Sequence, residues 1–242
     1  MFVYVTGNIG SDGEKLIKKA VSAFPVSDIC LFRDNTAPVP VDFCNRNGNI
    51  AIKRSDYCIV CISFDIETAK FKRRLLSIIY RTLFSGDDSL VGYALSEGNA
   101  YAYSYDCYLE EYANIGRYEL FYEVNHKDII DSISAVISQI NRLKIGDFDL
   151  NTEKQKETTN YLFMLDEPDN LNWSAAYEGH IIERTGFDPD KRIRSFDRIS
   201  KDDIAEEAKK IFVKKNTTIS LKGNPKKINT NDINNILLLL DS

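Results

Sequence analysis

With 242 residues, 43% hydrophobic and 28% charged, the chain can bury a real core, as one large domain or two small ones. A net charge of −5 argues against a dedicated nucleic-acid binder. No segment approaches the roughly 18 uninterrupted apolar residues of a membrane span, and Met1-Phe2-Val3-Tyr4-Val5 lacks the basic region of a secretory signal, so the expected compartment is the cytoplasm.

Residues 2–6 read as a strand ending at Gly7. A helix is expected over 13–24, with Leu16, Ile17, Ala20, Val21 and Phe24 on one stripe, and Pro25, Pro38 and Pro40 mark a long irregular connection. Residues 50–53 and 57–64 are the next strands. The second holds Cys58 and Cys61, whose C-x-x-C spacing invites a redox or zinc reading. Side chains three apart on a strand point to opposite faces, which favours simple burial. The odd total of five cysteines does not suggest a disulfide framework either.

An amphipathic helix over 69–84 carries Lys70, Lys72, Arg73 and Arg74 as a solvated face, and a shorter helix covers 90–95. Residues 101–109 and 117–124 alternate with period 2 and join through Asn114 and Gly116, an antiparallel hairpin rich in aromatics. In 127–145, Ile129, Ile130, Ile133, Val136, Ile137, Ile140 and Leu143 recur at helical spacing. Helical stretches follow over 152–165 and 170–183, with Pro168 near the start of the latter. Ser200-Lys201-Asp202-Asp203 is an N-cap pattern opening a helix to Phe212, with Ile204, Ala205, Ala208 and Ile211 on its buried side. Residues 217–221 make a last strand before Gly223. Ile233, Ile236, Leu237 and Leu240 in the tail allow a short helix. Strands separated by helices, with one long hairpin, predict an α+β fold, a sheet covered by helices. The expected organisation is a single domain over 1–223 and a tail over 224–242.

Between Leu83 and Tyr105, Ser85 and Gly86 fill a loop, Ser89 and Leu90 open a short helix, and Gly98, Asn99, Ala100 and Tyr101 turn into a strand. Residues 199–204, Ile-Ser-Lys-Asp-Asp-Ile, supply a helix cap, and residues 217–223 close on a glycine. In order and spacing, these segments resemble the second, non-zinc domain of one half of the pitrilysin/insulinase-type (mitochondrial-processing-peptidase-like) zinc metallopeptidases, over about residues 2–223. The resemblance implies a mostly antiparallel sheet covered by helices. It also implies that zinc sits on an inverted His-x-x-Glu-His helix in a separate partner domain, so no cofactor is expected in this chain.

The chain has only His126 and His180. His180-Ile181-Ile182-Glu183-Arg184 stops one residue short of the motif, and a guanidinium has no lone pair for a metal, so no metal ligand is assigned. His126 reads as a turn or helix-cap residue. The resemblance places Tyr101 where such enzymes carry a substrate-holding Tyr, which makes it the one weak substrate-binding candidate. The accompanying Arg is missing: Leu95, Ser96 and Glu97 occupy that stretch. Without it no fixed cation faces a developing oxyanion, and no catalytic residue is assigned.

The expected function is a non-catalytic domain or subunit of such a peptidase. It would form part of a peptide-binding chamber beside a zinc-bearing partner domain, with peptide as its ligand and neither nucleic acid nor membrane as partner. The alternative is a proteolytically inactive structural or assembly subunit of the same fold. A nucleotide loop at residues 7–15 is a third reading. Glu14 separates Gly13 from Lys15, which breaks the Walker A spacing and sets a negative charge where phosphates would lie.

Overall fold

The computed structural model describes residues 3–24, 48–102, 104–112, 114–182 and 186–241, leaving aside the side chains of 178 and 180–182. In chain order the elements are α1 (Ser11–Ser22), β1 (Asn49–Arg54), β2 (Ile59–Ile66), α2 (Arg73–Phe84), α3 (Leu90–Leu95), β3 (Tyr105–Glu111) and β4 (Gly116–Glu123). They continue with α4 (Ile129–Lys144), α5 (Leu150–Asp166), α6 (Pro168–Trp173), a π-helical turn (Ser174–Ile182), α7 (Pro189–Asp197), α8 (Lys201–Ile211), β5 (Thr217–Gly223) and α9 (Thr230–Leu238). Cα packing divides them into two compact units, Met1–Pro38 with Gln155–Arg198 and Val39–Lys154 with Ile199–Ser242.

The second unit is a five-stranded sheet of order β1-β5-β2-β4-β3, antiparallel except for the β1–β5 pair. The fold is therefore α+β. Strand alternation decides its layering. Val60, Ile62, Phe64 and Ile66 of β2, Tyr118, Leu120 and Tyr122 of β4, and Ile219 and Leu221 of β5 are buried on one face. Helices cover that face. The Tyr118 hydroxyl donates to the Leu76 carbonyl of α2 at 2.8 Å, and the Tyr122 hydroxyl lies 3.1 Å from Ser132 Oγ of α4. At the end of α8, the Phe212 ring meets Phe64 edge-on at 4.9 Å and stacks on Tyr118 at 5.5 Å. The α4 stripe read from the sequence is buried at Ile129, Ile133, Val136, Ile137, Ile140 and Leu143. Each such side chain contributes roughly 1.5–3 kcal/mol of transfer free energy.

The predicted cap is present at α8. Asp203 N–H donates to Ser200 Oγ at 3.1 Å, and Ser200 N–H donates to Asp203 Oδ2 at 2.9 Å, a reciprocal capping box. The bonds from Ser200 hold the Asp203 carboxyl below the usual carboxylate range. Ser200→Ala should therefore lower stability by about 1 kcal/mol, read as a shifted urea midpoint with an unchanged slope. Residues 224–241 continue the second unit. Ile233, Leu237 and Leu240 are buried, Lys144 Nζ donates to the Leu240 carbonyl at 2.5 Å, and Asn141 Nδ2 donates to the Leu239 carbonyl at 2.9 Å.

The first unit departs from the sequence reading at its start. Residues 3–7 form no strand, and Phe2 lies outside the described residues. Val3 and Val5 are exposed, and the segment is tied by side chains instead of a ladder: Asn172 Nδ2 donates to the Tyr4 carbonyl, and Thr6 Oγ1 donates to the Pro168 carbonyl. The helix after it forms, but Leu16, Val21 and Phe24 are exposed. A strand leading into Gly7 is thus absent, which removes the strand–loop–helix context of a phosphate loop. The irregular connection expected around Pro25, Pro38 and Pro40 lies outside the described residues. The helix α7, capped by the Asp188 carboxylate on Lys191 N–H at 2.8 Å, was not expected from the sequence. No described helix is long and apolar enough to cross a membrane.

Candidate functional site

The corner between α2 and β3 is built around two glycines. Gly86 adopts φ 93°, a left-handed conformation that side chains rarely tolerate. Ser89 caps α3 by accepting from Gly92 N–H at 3.1 Å. Gly92 faces a crowded space, where a Cβ would lie 2.1 Å from Tyr105 Oη, 2.5 Å from the Gly86 carbonyl oxygen and 2.8 Å from Ser89 Oγ. The Tyr105 hydroxyl donates to that same Gly86 carbonyl at 2.6 Å. Burial pushes its phenol above the ordinary value, with Asp87 adding to the rise and the bond to Ser89 opposing it. Loop, helix cap and strand start are thereby fastened together.

The turn after α3 closes through Gly98 N–H to the Tyr93 carbonyl at 2.7 Å and Asn99 Nδ2 to the Ala94 carbonyl at 3.0 Å. Ala100 follows in the left-handed region at φ 53°. Tyr101 is half-buried on the irregular link before β3. The expected strand over 101–109 starts only at Tyr105 because its partner runs out. Tyr105 pairs with Tyr122, one residue before β4 ends at Glu123. Tyr101 is therefore not a strand residue. A cleft of about 410 Å³ adjoins this corner, lined by Gly86, Asp87, Ser96, Ser104, Tyr105, Asp106 and Cys107. Its lining offers carboxylates and hydroxyls but no cation, so it cannot stabilise a developing oxyanion by charge. Where the Arg was missed, Leu95 is buried and Ser96 Oγ donates to the Gly92 carbonyl at 2.8 Å.

The sheet face opposite the helices is the larger feature. Pairing registers set its rows, one running Lys53–Lys222–Ile59–Glu123 and the next Ala51–Ser220–Cys61–Phe121–Asp106. The described residues on this face are half-buried or exposed. Tyr108 meets Phe121 edge-on at 6.1 Å, and Arg117 is held by Glu110 at 3.0 Å and Glu119 at 2.8 Å. Cys58 and Cys61 do point to opposite faces. Cys58 is buried on the helix side, and Cys61 Sγ donates to Glu119 Oε1 at 3.5 Å. Burial first, and then the Glu119 charge, pushes the Cys61 thiol up to about 12, so it carries no reactive thiolate near neutral pH. These rows were not visible in the sequence, because they depend on strand order.

Among the described residues no three His, Cys, Asp or Glu side chains group together. His126 opens a single 3₁₀ turn before α4, and its Nε2 accepts from Asn224 N–H at 2.9 Å, which commits that lone pair. The His180 backbone lies in the π-helical turn, and Glu183 and Arg184 lie outside the described residues.

No protein-family model matches the sequence, and a search of curated proteins finds no match. Solved structures do resemble it. A protease from Helicobacter pylori superposes with TM-score 0.67 at 13% identity, over 89% of this chain and 53% of that one. The peptidase M16 inactive domain from Pseudomonas fluorescens gives TM-score 0.59 at 10% identity, over 73% of this chain and 44% of that one. The fold is that of an M16-like peptidase domain. A chain of complex III2 from Candida albicans shares it, with TM-score 0.60 at 16% identity over 78% of this chain and 49% of that one. The present chain matches about half the length of each of these proteins.

Proposed function

We propose that this chain is a non-catalytic M16-type domain whose open sheet face forms one wall of a peptide-holding chamber, with zinc chemistry supplied by a partner domain or subunit. The observation that carries the reading is a sheet that, among the described residues, is covered by helices on one face only, in a fold whose known examples include an inactive peptidase domain. The open, partly apolar face offers side-chain contacts to an extended peptide lying across it, and the edge strand β3 separately offers backbone pairing to one lying along it. Tyr101 belongs to this proposal as a substrate contact of minor weight, half-buried at the corner beyond the start of β3. The pitrilysin/insulinase-type resemblance and a cytoplasmic setting belong to the same proposal.

The purified chain should bring down no stoichiometric zinc and cleave no peptide, while a weakly binding extended peptide should shift the amide resonances of β2 and β4. One equivalent of zinc by elemental analysis would overturn the reading. A second reading, a proteolytically inactive assembly subunit, is favoured by the likeness to a chain of complex III2. Affinity capture from the native source separates the two: a metal-bearing peptidase partner supports the chamber wall, and a stable complex without one supports assembly.

A further inference from the structure

The open face carries an ordered set of charges. Its strands, from edge to edge, are β1, β5, β2, β4 and β3. Lys53 of β1 and Lys222 of β5 are register partners at one side. Glu123 of β4 and Asp106 of β3 stand at the other, with Ile59, Cys61 and Phe121 between. Of the remaining charges of β3 and β4 on this face, Arg117 binds both Glu110 and Glu119, which leaves that trio with an excess of negative charge on the same side as Glu123 and Asp106. Lys222 Nζ donates to the Tyr57 hydroxyl and lies over that ring at 4.4 Å, but it makes no ion pair among the described residues, nor do Lys53, Asp106 and Glu123. The carboxylates are felt nearby: Glu123 adds to the rise of the Cys58 thiol, and Asp106 to that of Cys107, in each case after burial.

Two cations side by side without a counter-ion among the described residues, across the sheet from two anions without one, are not what sheet stability selects, because like charges on neighbouring strands are unfavourable. Charges on sheet edges often serve to block edge-to-edge pairing. That purpose would account for Lys53 and Asp106 but not for Lys222 and Glu123, which sit on interior strands. We infer that the open face selects extended peptides by charge order, taking a carboxylate over the β1–β5 side and a cation over the β4–β3 side. The inference rests on the chamber-wall reading and names its substrate class. Three strand spacings of about 4.8 Å separate the two sides, about 14 Å, which an extended peptide crosses in about four residues. The favoured ligand is thus a peptide with an acidic and a basic group about four residues apart and small or apolar residues between.

The test uses the full chain and two fluorescent peptides of identical composition. In one, an acidic block and a basic block are separated by about four threonine and leucine residues; in the other the same charges are intermixed. By fluorescence anisotropy at low salt the separated peptide should bind about tenfold tighter, and the gap should close in high salt. Lys53→Glu with Lys222→Glu should abolish the preference. Adding Asp106→Lys and Glu123→Lys should restore it, because the peptide can then lie in the reverse direction. Equal binding of the two peptides by the parent chain overturns charge selection and leaves the chamber wall standing. Binding of neither peptide overturns both.

Discussion

Gly92→Ala is expected to be the most damaging small substitution in the second unit, lowering stability by about 3 kcal/mol or more in a urea titration. The added methyl would sit 2.1 Å from Tyr105 Oη and 2.5 Å from the Gly86 carbonyl oxygen. Both neighbours are fixed: they bond each other, and Gly86 holds a left-handed conformation. Either α3 shifts, giving up the Ser89 cap, or β3 moves away from the corner. Tyr105→Phe alone removes the hydroxyl's bond to the Gly86 carbonyl and its contact with Ser89, and should cost about 1 kcal/mol. The double variant Gly92→Ala with Tyr105→Phe relieves the contact with the hydroxyl but not the one with the Gly86 carbonyl, so it should remain markedly less stable than Tyr105→Phe. A Gly92→Ala chain as stable as the parent would mean that the corner is not closed as described.

Lys144 gives the second large effect, and its sign is set by burial. The residue is 5% exposed at the end of α4, and burial pushes its ammonium down to about 8, with Asp241 pulling the other way. In the unfolded chain a lysine titrates near 10.4. Between these values the unfolded state binds more protons than the folded one, so this residue makes stability rise with pH from about 8 to about 10.4. The rise amounts to roughly 3 kcal/mol, since each unit is worth about 1.4 kcal/mol. Buried thiols act in the opposite direction. Cys61, pushed up to about 12, keeps its proton in the fold while the unfolded thiol loses it above about 8.5. The measurement is therefore a difference. The stability gap between Lys144→Met and the parent should move in the parent's favour by up to roughly 3 kcal/mol from pH 7 to about pH 10.5. A gap independent of pH would show that the ammonium is not buried with the Leu240 carbonyl.

Long periodic segments were legible because their burial follows from their own spacing. The α4 stripe, the capping box at Ser200 and Asp203, and the hairpin of β3 and β4 each needed no knowledge of distant neighbours. Short segments failed for the complementary reason. Residues 3–6 alternate like a strand, but alternation does not reveal whether a ladder partner exists, and none does among the described residues. Tyr101 was assigned to a strand on the same grounds and lost its partner where β4 ends. α7 has the Asp-Pro start of a helix, but its one buried apolar residue, Phe196, is too little for a periodic signal. At the site, the loop and cap were readable, whereas the reason for Gly92 was not. A single glycine in a helix looks like a modest propensity cost until the strand packed against it is known. Lys144 reads as an ordinary dipole-complementing cation for the same reason.

The placement of β5 between β1 and β2 has a consequence for how the chain acquires its structure. β2, β3 and β4 follow closely in sequence and can pair as soon as they are made. β1 has no such neighbour among the described strands. Its one ladder is with a strand at the other end of the sequence, so it must wait, unpaired, through the synthesis of everything between. The last strand thus acts as a keystone, and an arrested or C-terminally clipped product would expose the β2 edge and β1 together, the surface from which aggregation starts.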